Sequence, residues 1–300
     1  MQLAVVNRPI PADLIGRKCF FDTGDPATAA YAEEYNRILN DKMREGVSNL
    51  TRERYLTFSV GAASIEEAIP RLARMRTDAE QTLAKMRSAS RPLSGEERLD
   101  VIHGLLRPGK PNLFSWEAVG ATGGLTSKDL ICPASLDFKP EGSGTCFKTE
   151  DAWGQVLSIN RFGSELSDRC LADIIDLPIP LAISIHVQAM DKSKAVAFVK
   201  KRIAWMDKEI IDEQMSAVKK GYDFQILPSE LKYSKEEAED LLDHLQNRNQ
   251  RLYVYTGLVY TYAPTREQLD DQVMQIVSTA RRNSIEADAL DYRQREGLNS

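Results

Sequence analysis

Residues 252–268 read LYVYTGLVYTYAPTREQ, and the two halves of this stretch obey different rules. Leu252 to Tyr262 is the longest run of β-formers in the chain, dense in Tyr, Val, Leu and Thr. Thr265-Arg266-Glu267-Gln268 is a capping box, in which the threonine hydroxyl takes the amide three residues on and the glutamine side chain reaches back to the threonine amide. A strand leading straight into a capped helix is therefore predicted. Leu269, Val273, Ile276, Val277 and Ala280 recur at helical spacing and carry that helix to Asn283. A closing strand over 285–290 precedes a polar tail, in which Gly297 suits a helix C-cap.

The same alternation extends upstream. Residues 155–161 alternate as a strand, 165–174 read as helix, and Pro178 and Pro180 turn the chain into a strand over 181–187. In that strand Leu181, Ile183, Ile185 and Val187 share one face, so His186 falls on the other. A long helix over 192–220 follows, with Val196, Val199, Ile203, Met206 and Ile210 in its stripe and Gly221 as its stop. Ser234-Lys235-Glu236-Glu237 reads as the cap of a second helix bearing Ala238, Leu241, Leu242 and Leu245. The two make a projecting hairpin over 192–249. The order β, α, β, αα, β, α, β predicts a split βαβ (ferredoxin-like) subdomain over 151–300 with that hairpin inserted.

Residues 1–150 are expected to form a smaller α+β subdomain. Strands are read at 2–6 and 55–60, and capping boxes at Ser64 and Ser94 start two helices. The first carries Ile69, Leu72, Met75, Leu83 and Met86, with Pro70 in its early turns; the second ends at Pro108-Gly109. Glycines, prolines and hydroxyl residues dominate 109–154, which reads as irregular structure with short strands. The overall class is α+β.

Composition narrows the function. Hydrophobic residues make 42% and charged residues 28% of the 300, a globular balance that excludes disordered and collagen-like chains. A net charge of −5 argues against a dedicated DNA-coating protein. Cys19, Cys132, Cys146 and Cys170 lie far apart without zinc-site spacing, as expected of reduced cytosolic thiols. No apolar run reaches the ~18–20 residues of a membrane span, and no signal peptide opens the chain.

The search for chemistry returns little. The patterns H-E-x-x-H, G-x-S-x-G and G-x-x-x-x-G-K-[ST] do not occur, so Gly120-Ala121-Thr122-Gly123-Gly124 reads as a loop without phosphate ligands. His186 and Cys170 have no partner at recognisable catalytic spacing. Glu66-Glu67, Glu96-Glu97 and Glu236-Glu237 fall in first helical turns, where they complement the helix dipole. Trp116, Trp153 and Trp205 look too scattered to stack bases, and Lys200-Lys201-Arg202 and Arg281-Arg282 read as solvated helix surface able to touch phosphate. No catalytic, cofactor-binding or metal-binding residue is assigned.

Several segments in order nevertheless resemble one family. They are Asn7-Arg8-Pro9-Ile10, Glu34-Tyr35-Asn36 before Leu56-Thr57-Phe58-Ser59-Val60, and Ile183-Ser184-Ile185-His186 before the long helix. Gly221-Tyr222-Asp223, Ile226-Leu227-Pro228, the Glu237 to Leu242 helix running into Gln246 to Leu252, and Glu296-Gly297-Leu298-Asn299-Ser300 complete the set. Together they resemble the CagE/TrbE/VirB family of type IV secretion and conjugative-transfer ATPases, in the form found in Gram-positive-type conjugative elements. The resemblance implies a non-catalytic N-terminal docking and assembly domain, with a RecA-like motor beyond residue 300. ATP and Mg belong to that motor, and no cofactor is expected within these residues. Implied partners are small inner-membrane components of the secretion channel, other copies of the ATPase in a hexamer, and a coupling protein. The implied location is the cytoplasmic face of the plasma membrane, as a peripheral protein. A self-contained nucleic-acid-binding module of a conjugation system is the alternative, resting on the split βαβ order and the basic clusters.

Overall fold

The computed structural model describes residues 1–9, 19–21, 25–44, 50–163, 166–219, 229–248 and 250–300. Its first half contains β1 (Gln2–Pro9), α1 (Ala29–Arg44), β2 (Leu50–Thr57), α2 (Ile65–Lys85), α3 (Gly95–Leu106), α4 (Trp116–Ala121), α5 (Ser127–Ile131), β3 (Leu136–Asp137) and β4 (Phe147–Thr149). Its second half contains β5 (Trp153–Phe162), α6 (Ala172–Ile175), β6 (Leu181–Ala189), α7 (Lys192–Lys219), α8 (Ser229–Asn247), β7 (Tyr253–Ala263), α9 (Arg266–Arg282), β8 (Ile285–Ala289) and α10 (Gln294–Leu298). The strands join one open antiparallel sheet in the order β2-β1-β6-β7-β5-β4-β3, with β8 also on β5. Two compact units result. One is Met1–Ile185 with Thr256–Ser300, and the other is His186–Tyr255.

The quoted stretch explains why the sheet is central to the first unit. From Leu258 to Ala263 every residue of β7 is buried, so the run is apolar on both faces rather than alternating. Val259 joins Leu157, Ile159, Leu181 and Ile183 under Ile276 and Ala280 of α9. Leu258, Tyr260 and Tyr262 point the other way and pack with Phe147 and Val156. Burial pushes the Tyr262 phenol up to about 12 and Tyr260 higher still, and the Tyr260 hydroxyl is satisfied by donating to the Leu105 carbonyl at 3.0 Å.

One edge of β5 is shared by two short strands, and a side chain closes the gap between them. β4 pairs at Gly154 and β8 begins at Leu157, which leaves Val156 opposite neither strand. Gln294, 1% exposed, accepts from the Val156 amide at 2.7 Å and donates to the Val156 carbonyl at 3.0 Å. The amide group thus stands in for a strand partner. The residues read as a polar tail are helix α10, and Gly297 lies inside it. A Cβ there would meet Leu290 Cδ1 at 2.6 Å and Val156 Cγ1 at 2.9 Å, so close packing requires this glycine rather than a C-cap.

Other boundaries also moved for local reasons. β2 ends at Thr57, not Val60, because its partner β1 begins at Gln2, opposite Thr57. The helix expected over 165–174 shrinks to Ala172–Ile175: the Ser167 hydroxyl takes the Arg169 amide, and turns at Cys170 and Ala172 replace the helical bonds. α8 starts at Ser229, so Ser234 sits within the helix instead of capping it. The 109–154 region gains α4 and α5, too short to show a period; Ser115 caps the first, accepting from the Ala118 amide at 3.0 Å. Gly221 and the Leu227-Pro228 turn lie outside the described residues.

Candidate functional site

Asn7 and Arg8, the first segment of the family resemblance, are the centre of a polar network. Val5, Val6 and Asn7 of β1 are buried, which sets these two side chains against β2, α3 and α6. Arg8 Nε lies 3.1 Å from Glu53, and its Nη1 lies 3.2 Å from Asp100 of α3. The Tyr55 hydroxyl donates to Glu53 at 2.6 Å, and Asn112 donates to Asp100 at 2.9 Å. Beside them Asn7 Nδ2 donates to the Ile175 carbonyl at 2.6 Å, while Arg52 bridges Asn7, Asp176 and the same carbonyl. Glu53 and Asp100 are thus held by one fixed cation. The arrangement joins β1, β2, α3 and α6 through paired charges, with Asp176 held by Arg52 at its exposed side.

The residues weighed for chemistry stay apart. His186 is half-buried on β6, and Cys170 packs against the core around Ile174 and Leu181. Cys146 is fully buried with Arg266 Nη1 donating to its sulfur, and burial pushes its thiol up, which favours the inert protonated form. Gly120 to Gly124 form the end of α4 and the turn after it. Arg281 and Arg282 fill the last turn of α9, with Arg282 donating to the Thr279 hydroxyl at 3.2 Å. Lys148 and Arg266 each lie over the Trp153 ring, and Trp116 packs edge-on against Phe114. Among the described residues no group of three or more His, Cys, Asp or Glu side chains is placed to hold a metal ion. No described helix is long and apolar enough to cross a membrane.

The hairpin carries exposed apolar and charged side chains together. Ala195 and Val199 of α7 pack on Leu245 of α8, with Val196, Ile203 and Leu242 around them. The helices are antiparallel: Lys192 at the start of α7 reaches the Gln246 carbonyl at 3.4 Å, and Asp207 holds Lys235 at 2.6 Å. The bond to Asp207 raises the Lys235 ammonium above its ordinary value. At 100° per residue, Lys194, Phe198, Lys201, Trp205 and Lys208 fall on the arc facing away from α8, while Arg202, seven residues after Ala195, lies at the edge of the packed face. Phe198 is 58% and Trp205 56% exposed, and the Arg202 guanidinium lies 4.6 Å over the Trp205 ring. Further along α7, Ile211, Met215 and Val218 are exposed and line a shallow groove with Gln214 and Lys219. The outward face of α8 carries Glu236, Glu237, Asp240 and Asp243, all exposed.

The sequence reading therefore missed a pairing. Counted with the other tryptophans Trp205 is scattered, whereas its neighbour on the helix face is Phe198, seven residues back. A helical wheel centred away from Val199 and Ile203 displays this second face. α2 presents a similar case. None of its residues is buried, and Ile65, Ile69 and Leu72 are exposed along one side. No family model matches this chain, and no curated protein matches it.

Proposed function

We propose that this chain is the non-catalytic N-terminal docking and assembly domain of a conjugative type IV secretion ATPase, which powers DNA or protein transfer across the cell envelope. The RecA-like motor, with ATP and Mg, follows residue 300 in this reading. The partners are small inner-membrane components of the secretion channel, further copies of the ATPase and a coupling protein, met at the cytoplasmic face of the plasma membrane. The order of the family-like segments supports the identity. The observation that carries the docking role is the set of large apolar side chains on solvent-facing helix faces: Ile211, Met215 and Val218 of α7, and Ile65, Ile69 and Leu72 of α2. Apolar area of this kind marks contact surface, because nothing in the fold requires it. For β5 to β8 we propose the ferredoxin-like split βαβ arrangement, supported by the spatial order β6-β7-β5-β8.

The test is retention of the membrane components encoded beside this protein by the purified chain in detergent. Replacing Ile211 and Met215 together by Asp is expected to weaken retention at least ~10-fold, since charge at an apolar contact is left unpaired. Unchanged retention, or stoichiometric ATP turnover by these 300 residues alone, overturns the reading. The alternative, a nucleic-acid module, draws on Lys201, Phe198 and Trp205 sharing one exposed face, with Arg202 beside it. It requires binding of single-stranded DNA that weakens steeply with salt.

A further inference from the structure

β8 pairs on one side only, and an apolar flank of α9 overhangs its other side. Its register runs from Leu157↔Ala289 to Phe162↔Ile285 on β5, and among the described residues no strand pairs with its outer edge. No described turn, loop or helix bonds to the backbone of 285–289 either, so the outward amides and carbonyls of β8 stand open to another strand. The two faces of β8 differ. Ile285 and Ala287 are buried in the core beneath α9, whereas Glu286 and Asp288 are exposed on the opposite face. Arg161 and Asn160 approach these acids from β5, at 3.7 Å and 2.9 Å.

The placement of α9 follows from its contacts on the far side. The Thr261 hydroxyl of β7 meets the Gln272 side chain at 2.7 Å, and Asn283 donates to Asp173 at 3.1 Å. With strands in the order β7-β5-β8, the flank of α9 turned away from those contacts lies over β8. At 100° per residue that flank carries Asp270, Val273, Met274, Val277 and Arg281, and these line an open groove. Val273 and Val277 touch the core around Ile285 and Ala287, and Met274 is 66% exposed.

We propose that a β-strand of a partner protein, alternating apolar and basic residues, adds to the free edge of β8 beneath this flank of α9. Its apolar residues face the same way as Ile285 and Ala287 and close against Val273, Met274 and Val277. Its basic residues, on the other face, sit beside Glu286 and Asp288. Backbone pairing holds the strand, and the alternation selects it. A second copy of β8 does not fit, because any register that keeps both apolar sides under α9 sets acids beside acids. The inference rests on this edge and stands apart from the conjugation reading.

The probe is a fluorescent, end-blocked peptide, Thr-Val-Lys-Val-Lys-Val-Thr, added to the 300-residue chain. Saturable anisotropy below about 1 mM is expected, with slowed hydrogen exchange at 285–289. Serine in place of the valines weakens binding at least ~10-fold. N-methylation of every second amide, made in both phases, costs at least ~10-fold in one phase only, since only one set of amides faces β8. Glu286→Lys with Asp288→Lys weakens the lysine peptide at least ~10-fold and binds a version with Glu for Lys instead, a gain that an unfolded chain does not show. No saturation below about 1 mM, equal binding of both methylated peptides, or a charge-reversed chain that still prefers lysine overturns the proposal. So does a wild-type chain whose 285–289 amides are already protected by a second copy in the absence of peptide.

Discussion

Gln294 is the most exacting test of how the sheet is completed. Its replacement by Leu keeps the volume and removes both ends of the amide. The Val156 amide then has no acceptor, a full orphan costing about 1–3 kcal/mol. The Val156 and Leu290 carbonyls lose less, because the Leu290 amide still reaches the first at 3.3 Å and the Arg293 amide the second at 3.0 Å. With those two weakened bonds the sum is about 2–4 kcal/mol, or a fall in midpoint of about 6–12 °C for a domain of this size. Urea unfolding followed by tryptophan fluorescence measures it, and hydrogen exchange locates it as lost protection at the Val156 amide. The Gln294→Glu variant adds a sign. One carboxylate oxygen still accepts from Val156, but the other faces two carbonyls and is tolerated only when protonated, which raises the folded-state pKa above the usual ~4.3. A raised pKa means stability fully present below the unfolded value and lost as pH climbs through the folded one, so this variant weakens between pH 5 and pH 7 relative to wild type. A Gln294→Leu chain within ~0.5 kcal/mol of wild type, or a Gln294→Glu chain with the wild-type pH profile, refutes the strand-partner role.

Two further outcomes follow from side chains of the first unit. Arg8→Leu leaves Glu53 and Asp100 facing each other without their shared cation, and because both stay partly solvated the loss is about 1–2 kcal/mol by urea unfolding, recovered in part by Glu53→Gln in the same chain. The His103 imidazole is buried in α3, and desolvation, with Arg107 adding to it, holds its pKa below the ordinary value. The unfolded chain therefore binds more protons below pH ~6.5, so stability falls as pH drops from 7 toward 5; thermal melts at several pH values show this, and His103→Leu flattens the slope in that window.

The elements that sequence exposed are those whose own residues specify them. Ser94 caps α3 with Glu97 returning to the Ser94 amide at 2.8 Å, while Thr265 caps α9 by accepting from the Gln268 amide at 3.3 Å without the return bond that a full capping box has. Ser64 is a partial case: its hydroxyl meets the Glu67 amide, but the Glu67 carboxylate goes to the Ala63 amide instead. What sequence concealed depends on partners far along the chain. The end of β2 is set by where β1 begins, and the structure at 294–298 is set by an amide on β5 some 138 residues away. Neither leaves a local signature. The exposed face of α7 was half legible. The cations of α7 were visible as a run, whereas the alignment of Phe198 with Trp205, and of the α7 patch with the α8 acids, appears only once the helices have a register.

That register bears on why the hairpin carries such a surface at all. Met190 donates to the Leu252 carbonyl at 2.9 Å, which closes the base of the insertion between β6 and β7. Above that closure, Ala195, Val199 and Leu245 already form a buried core of their own. The packing positions of α7 are thus filled by residues 195, 199 and 206, and a solvated outer face of Lys and Glu would serve the fold equally well. Phe198 and Trp205 instead hold two large aromatic rings in water, at a cost that helix propensity and the hairpin core do not offset. A contact that buries both rings recovers that cost. The Arg202 guanidinium over Trp205 covers one ring face only in part, since the residue remains 56% exposed.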